Sequence, residues 1–196
     1  MRISAIGEFA LIERIRRILP KPHDAILGIG DDCAVLRPTA DRELLLTTDL
    51  LVDGVDFTRQ TITPFRLGRK AMGVNLSDIA AMGGLPRAAL VTLAIPPDEE
   101  IEFVDELYRG LREEGAQFSV EVIGGDLSAS STLMIGVTLV GEVEMGKAVT
   151  RSGAKPGERI WITGRLGAAA AGLIALKAGF RLLDDQVETP YEVSSS

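Results

Sequence analysis

The alternation of strands and amphipathic helices predicts an α/β (α+β) two-layer domain that ends near Gly146, with the start of a second, incomplete domain behind it. Three observations carry that expectation. Apolar residues recur at helical spacing in several separate segments, leucine- and valine-rich runs of strand length stand between them, and glycine or proline closes most of these segments. A composition of 46% hydrophobic and 25% charged residues supports a buried core rather than a disordered chain.

In chain order, Phe9, Ile12, Ile15 and Leu19 share one face of a helix over 7–19 that Pro20 and Pro22 end. A glycine-punctuated turn, Gly28-Ile29-Gly30-Asp31-Asp32-Cys33, leads into Ala34–Leu36. The segment 43–48 reads as a buried strand finishing at Asp49. A helix over about 64–82 is closed by Gly83-Gly84, and a strand over 87–95 is stopped by Pro96-Pro97. Asp98 is the expected N-cap of a helix presenting Ile101, Val104, Leu107 and Leu111. A short strand over 120–123 ends in Gly124-Gly125-Asp126, and 132–143 is a longer one.

The domain division places 1–147 in the first domain and 148–196 in the second. In the latter, Lys155-Pro156-Gly157 is a turn, 159–163 a strand, and Gly164–Gly167 a glycine-framed turn into an alanine-rich helix over 168–178. One strand and one helix do not close a core.

Composition also removes function classes. Cys33 is the only cysteine and His23 the only histidine, so one chain holds no internal disulfide, zinc cluster or cysteine–histidine pair. Any bound metal takes oxygen ligands, which points to magnesium, calcium or manganese. A net charge of −7 argues against a nucleic-acid surface. The longest apolar stretch, Ala168–Leu176, is too short for a bilayer, and with no signal-peptide profile a cytoplasmic protein is expected.

Acidic residues recur where expected strands end and on one helix face. Asp31 and Asp32 lie in a glycine turn; Asp49 follows Thr47-Thr48; Asp78 stands one helical turn after Asn75; Asp126 follows two glycines. Taken singly, each has an ordinary explanation as a turn residue. Carboxylates from separate strand ends can nevertheless converge at one sheet edge, where hydroxyls and carboxylates together suit magnesium shared with substrate phosphates.

Several of these segments, in order and across nearly the whole chain, resemble the signatures of the thiamine-monophosphate kinase family. They are Gly7–Ile12, Gly28–Val35, Thr47-Thr48-Asp49-Leu50-Leu51-Val52, Val74–Gly83, Gly124-Gly125-Asp126 and Thr150–Gly157. That family belongs to the aminoimidazole-ribonucleotide-synthetase-like superfamily. The resemblance implies an N-terminal α/β domain that dimerises by joining sheets into a β-barrel, and a C-terminal α/β domain that is truncated here. It implies several magnesium ions on Asp32, Thr47, Thr48, Asp49, Asp78 and Asp126, with Tyr108, Gly125, Asp126 and Arg151 contacting ATP. Where the family usually shows a substrate-contacting histidine, this chain has Asp56, so a substrate role is carried over to Asp56 only weakly.

The implied reaction is transfer of the γ-phosphoryl group of ATP to thiamine monophosphate, giving thiamine diphosphate and ADP. Its nucleophile is already anionic, so positioning and charge neutralisation replace a general base. No P-loop or protein-kinase signature is present. The alternatives are another ATP-using member of the superfamily, selenophosphate-synthetase-like or hydrogenase-maturation-like, and a catalytically incomplete nucleotide-binding dimerisation fragment.

Overall fold

The computed structural model describes residues 2–21, 25–27, 29, 35–36, 39–162, 164 and 166–180. The expected turn at 28–33, with Asp31, Asp32 and Cys33, lies outside the described residues except for Ile29, and so does the only histidine, His23. Two compact units are present, 1–156 and 157–196. The Val149 N–H donates to the Met82 carbonyl, so the chain beyond Gly146 still runs along the first unit.

In the first unit, a single 3-10 turn, Ile3–Ala5, precedes α1 (Glu8–Ile18). The buried stripe of α1 is Leu11, Ile15 and Leu19, whereas Phe9 is 86% exposed. The expected face, built on Phe9 and Ile12, is therefore rotated. Leu11, Ile15 and Leu19 join the main core instead, and α1 docks on α3 (Ile101–Ala116), where Arg14 forms a bidentate ion pair with Asp105.

A two-stranded antiparallel ribbon, β1 (Ala25–Leu27) with β2 (Val35–Leu36), stands apart from the main sheet. The main sheet has four strands: β3 (Arg42–Val52), β4 (Leu85–Ile95), β5 (Glu121–Ala129) and β6 (Met134–Glu144). Their order is β3-β6-β4-β5, antiparallel except for the β4–β5 pair, which α3 connects as a crossover. Strands β3 and β6 pair without interruption from Arg42↔Glu144 to Val52↔Met134. Asp49 thus lies inside a strand rather than at its end, because the ladder continues for three residues past it. Likewise Gly124, Gly125 and Asp126 continue β5 rather than end it. They pair with Leu90, Val91 and Thr92 after a bulge at Ile123.

The helix α2 (Pro64–Ala81) starts with Thr63, whose hydroxyl accepts the Arg66 N–H, and Pro64 fits the first helical position. The cap of α3 is Glu100 and not the expected Asp98. Backbone bonds from Glu99 N–H to the Pro96 carbonyl and from Ile3 N–H to the Glu99 carbonyl hold the turn before the helix and delay its start. Helices α2 and α3 pack backbone to backbone. A Cβ on Gly68 would lie 2.0 Å from the Leu107 carbonyl oxygen, and one on Gly110 would lie 1.9 Å from that of Phe65.

These helices cover one face of the sheet. Residues alternate across β3: Leu45, Thr47, Asp49 and Leu51 share a face with Leu139, Val137 and Ile135, all of which are buried. The opposite face is open. Leu44, Leu46, Leu50, Leu85 and Leu90 stand on it exposed, Leu46 at 70%. The expectation of a fully buried strand at 43–48 therefore holds for one face alone, since no second layer lies on the other.

In the second unit, α4 (Ala168–Lys177) forms as expected, but residues 159–162 carry no strand. Ile160 and Trp161 are 96% and 82% exposed. An extended run needs a neighbouring strand to become one, and no strand of this unit is present among the described residues.

Candidate functional site

Helix α2 lies on the covered face of the sheet, and one bond fixes its level against β3. The Thr47 hydroxyl donates to Asp78 Oδ2 at 2.7 Å. A second contact sets direction: Lys70 Nζ donates to the Asp56 carbonyl at 2.6 Å, just beyond the end of β3. From residue 70 to residue 78, α2 thus runs back along β3 from its end toward Thr47. Asp49 projects on the same face, two residues along from Thr47. Thr47, Asp49 and Asp78 form a group of hard oxygen donors between the edge strand and the helix, and Asp78 is exposed.

This donor set suits magnesium, which is commonly held by one or two carboxylates plus substrate phosphates and water rather than by a full protein cage. Among the described residues no group of three or more acidic, histidine or cysteine side chains is close enough to hold an ion unaided. Asp32, the further carboxylate that the resemblance implies, lies outside the described residues.

The other expected residues are placed as follows. Thr48 points to the open face, where the Thr138 hydroxyl donates to it at 3.1 Å. Asp126 lies on β5, the opposite edge strand, level with Thr92, and the Ser128 hydroxyl is 3.5 Å from its Oδ2. Three strand spacings separate β3 from β5, roughly 14 Å. Convergence of the strand-borne acids at one edge is therefore not what a single subunit shows. Asp49 and Asp126 occupy opposite edges, because the late strand β6 and then β4 insert between them.

Gly125 packs its backbone onto β4, and a Cβ there would meet the Val91 carbonyl oxygen at 1.9 Å. Tyr108 is 3% exposed within the main core, and burial pushes its hydroxyl pKa well above the usual phenol value. Arg151 is exposed in the irregular segment before Pro156. The Asp56 carboxylate is engaged locally, accepting the Val52 N–H at 2.9 Å and tightening the turn after β3.

Thr138 had not been singled out from sequence, and Asn75 only as the residue one helical turn before Asp78. Thr138 was readable as an alternating position of its strand, but its pairing with Thr48 required the register. Asn75 is fully buried: Nδ2 donates to the Ala71 carbonyl at 3.0 Å, while Oδ1 has no hydrogen-bond partner among the described residues. A cavity of about 470 Å³ lies elsewhere, lined by Glu13, Arg16, Arg17, Leu19, Pro20, Lys21, Ile29 and Val122. Both Arg16 and Arg17 are paired with Glu13, and none of the expected site residues lines it. No helix among the described residues is long and apolar enough to cross a membrane.

Comparison with known proteins agrees with the fold. Thiamine-monophosphate kinase of Aquifex aeolicus (strain VF5) is 39% identical over 194 residues, covering 99% of this chain and 59% of the relative. The Escherichia coli (strain K12) thiamine-monophosphate kinase is 41% identical over 184 residues, covering 92% and 55%. The chain thus spans less than two thirds of the length of these relatives. Among solved structures, the Stenotrophomonas maltophilia K279a thiamine-monophosphate kinase superposes with a TM-score of 0.77 at 38% identity, covering 89% of this chain and 54% of that one. AaThiL complexed with AMPPCP and TMP gives a TM-score of 0.69 at 36% identity, covering 94% and 57%. Hydrogenase maturation protein HypE in complex with ATP shares the fold, with a TM-score of 0.74 at 21% identity. The model of the AIR synthase related protein, N-terminal domain, matches residues 30–143, and the chain belongs to that family.

Proposed function

We propose that this chain is the nucleotide- and metal-binding part of an enzyme that phosphorylates thiamine monophosphate to thiamine diphosphate at the expense of ATP. The observation that carries the reading is the Thr47–Asp78 bond beside Asp49, which gathers segments that resemble the kinase family into one oxygen-rich group. The relative complexed with AMPPCP and TMP, an ATP analogue and the phosphorylated acceptor, supports the same substrates here.

Chemically, two polyanions must approach one another, and magnesium supplies the positive charge that offsets their repulsion. Thr47, Asp49 and Asp78 would hold it, with Asp32 as a further donor; Thr48, whose hydroxyl lies on the open face, would serve a separate ion. Side-chain carboxylates at such a site exclude free phosphate and admit the metal complex, which explains how a chain of net charge −7 handles ATP. Gly125, Asp126 and Arg151 are the proposed ATP contacts, and the fourth expected residue, Tyr108, is 3% exposed. Tyr108 serves from within the core, by shaping the helix against which β5 rests. Asp56, held by the Val52 N–H, has the weakest case for touching substrate.

The open sheet face supports a homodimer. Exposed Leu44, Leu46, Leu50 and Leu90 form an apolar surface that a second copy would cover by closing two sheets into a barrel. A closure that joins β3 of one subunit to β5 of its partner would bring the β5 edge with Asp126, which shares the open face with Thr92 and Leu50, to the β3 edge that carries Thr48 and Asp49. Residues 148–196 are read as the beginning of a second domain, whose remaining elements would cover Ile160, Trp161 and Ile174.

Calorimetry with ATP tests the nucleotide half. Binding that requires magnesium and disappears with chelator is expected, and binding indifferent to magnesium would refute the carboxylate-held metal. ADP release tests the acceptor in a protein carrying the whole second domain. Stimulation by thiamine monophosphate and not by selenide is expected, and the reverse would favour a selenophosphate-synthetase-like activity.

A further inference from the structure

Bonds at three levels of α2 order what stands beside it. At the C-terminal end the Val149 N–H donates to the Met82 carbonyl at 3.0 Å. Arg151 follows two residues later, so its backbone lies within about 7 Å of that anchor. One turn back from Met82, Asp78 accepts the Thr47 hydroxyl. Toward the helix start, about 12 Å further along the axis, Lys70 Nζ donates to the Asp56 carbonyl at 2.6 Å. The metal group of Thr47, Asp49 and Asp78 thus lies between an Arg151 end and a Lys70 end.

Lys70 differs from the other cations near its end of the sheet. Arg59 is bound to Asp53 and Glu99 and stands over the Phe103 ring, and Arg69 is bound to Glu114. Among the described residues the Lys70 ammonium engages one of its three donors, with a neutral carbonyl, and that contact is solvent-exposed. The Asp56 side chain cannot offer a donor in its place. An ionised carboxylate only accepts, and this one already holds the Val52 N–H.

The geometry of phosphoryl transfer sets where an acceptor stands. Attacking and leaving oxygens lie roughly in line through the transferred phosphorus. With the nucleotide on the Arg151 side of the metal group, the acceptor phosphate approaches from the opposite side, which is the Lys70 end of α2. A lysine ammonium there is a point charge suited to a phosphate.

We propose that Lys70 Nζ binds the phosphate of the acceptor, which makes Lys70 the residue that selects a phosphorylated acceptor over its unphosphorylated form. The inference rests on the kinase reading given above.

Its test is calorimetry of thiamine monophosphate and of thiamine, each titrated into the chain loaded with Mg²⁺ and AMPPCP, for wild type, Lys70→Gln and Lys70→Arg. Lys70→Gln should bind thiamine monophosphate at least about 10-fold more weakly, with its affinities for thiamine and for AMPPCP unchanged. Lys70→Arg keeps the charge and should retain most of the binding. Wild-type affinity for thiamine monophosphate in Lys70→Gln would overturn the proposal. So would equal losses for thiamine monophosphate and thiamine, which would assign Lys70 to holding the turn at Asp56. Wild type that shows no preference for thiamine monophosphate over thiamine would instead remove the acceptor reading itself, and this inference with it.

Discussion

Individual side chains divide between those that hold the sheet and those the sheet leaves available. Asp78 belongs to the second group. It is exposed, and its one described bond is to the Thr47 hydroxyl. Asp78→Asn should therefore change unfolding free energy by less than about 0.5 kcal/mol, yet weaken Mg-ATP binding by about 10-fold or more. Denaturant titration alongside calorimetry measures both, and undiminished affinity would take Asp78 out of the site. Tyr108 shows the opposite balance. Its hydroxyl pKa is raised by burial, so the folded state keeps the proton after the unfolded state has lost it. Stability is unaffected below the ordinary phenol value near 10 and declines as pH rises past it, by about 1.4 kcal/mol per pH unit for this group. Thermal unfolding of Tyr108→Phe between pH 9 and 11 should lose that part of the slope, and an unchanged slope would show that other groups set it. At this scale the sequence singled out candidate acids and was silent about their distances. The Thr47–Asp78 contact joins residues 31 apart, and no local pattern encodes it.

Elements were legible where a local rule decided them. Helix α3 followed from apolar spacing, the end of α2 from Gly83-Gly84 and the end of β4 from Pro96, whereas β4 starts at Leu85, two residues before the expected 87. Thr63 caps α2 through the Arg66 N–H, so Thr63→Ala should cost about 1 kcal/mol, read from chemical denaturation. What escaped the sequence was set by tertiary partners. The inward face of α1 is the one that packs Leu11, Ile15 and Leu19 into the core, and β5 runs past Gly125 because β4 offers it a ladder. Glycine within α3 reads as a weak helix position, but at Gly110 it is a packing requirement. A methyl group there would meet the Phe65 carbonyl, and neither backbone has room to yield. Gly110→Ala should destabilise by about 1–3 kcal/mol, and a loss no larger than a few tenths would show that α2 and α3 separate easily.

The molecule as a whole exposes one face of its sheet, and the apolar run at 43–48 had suggested burial on both. The two views agree if the second layer comes from another copy. Leu46, 70% exposed at the middle of that face, is the position to probe. Leu46→Asp should shift sedimentation equilibrium from dimer to monomer while leaving the far-ultraviolet circular dichroism unchanged. A variant that remains dimeric would place the contact elsewhere. The division into units at 156/157 has no sharp sequence boundary, because 147–156 is irregular and Val149 is still bonded to Met82.

The sheet order has a consequence for how the chain acquires its shape. Strand β3, which carries Thr47 and Asp49, neighbours only β6 in the sheet, and the Thr48–Thr138 bond spans 90 residues. As the chain leaves the ribosome, β3 waits unpaired while α2, β4, α3 and β5 emerge. Local structure can assemble in that interval, but the strand bearing the oxygen donors cannot be docked until the last strand arrives. Long-range closure of this kind is slow. Arrival of β6 is then the step that completes the ladder along β3, so the strand that carries Thr47 and Asp49 is held in the sheet only by the strand made last among the four.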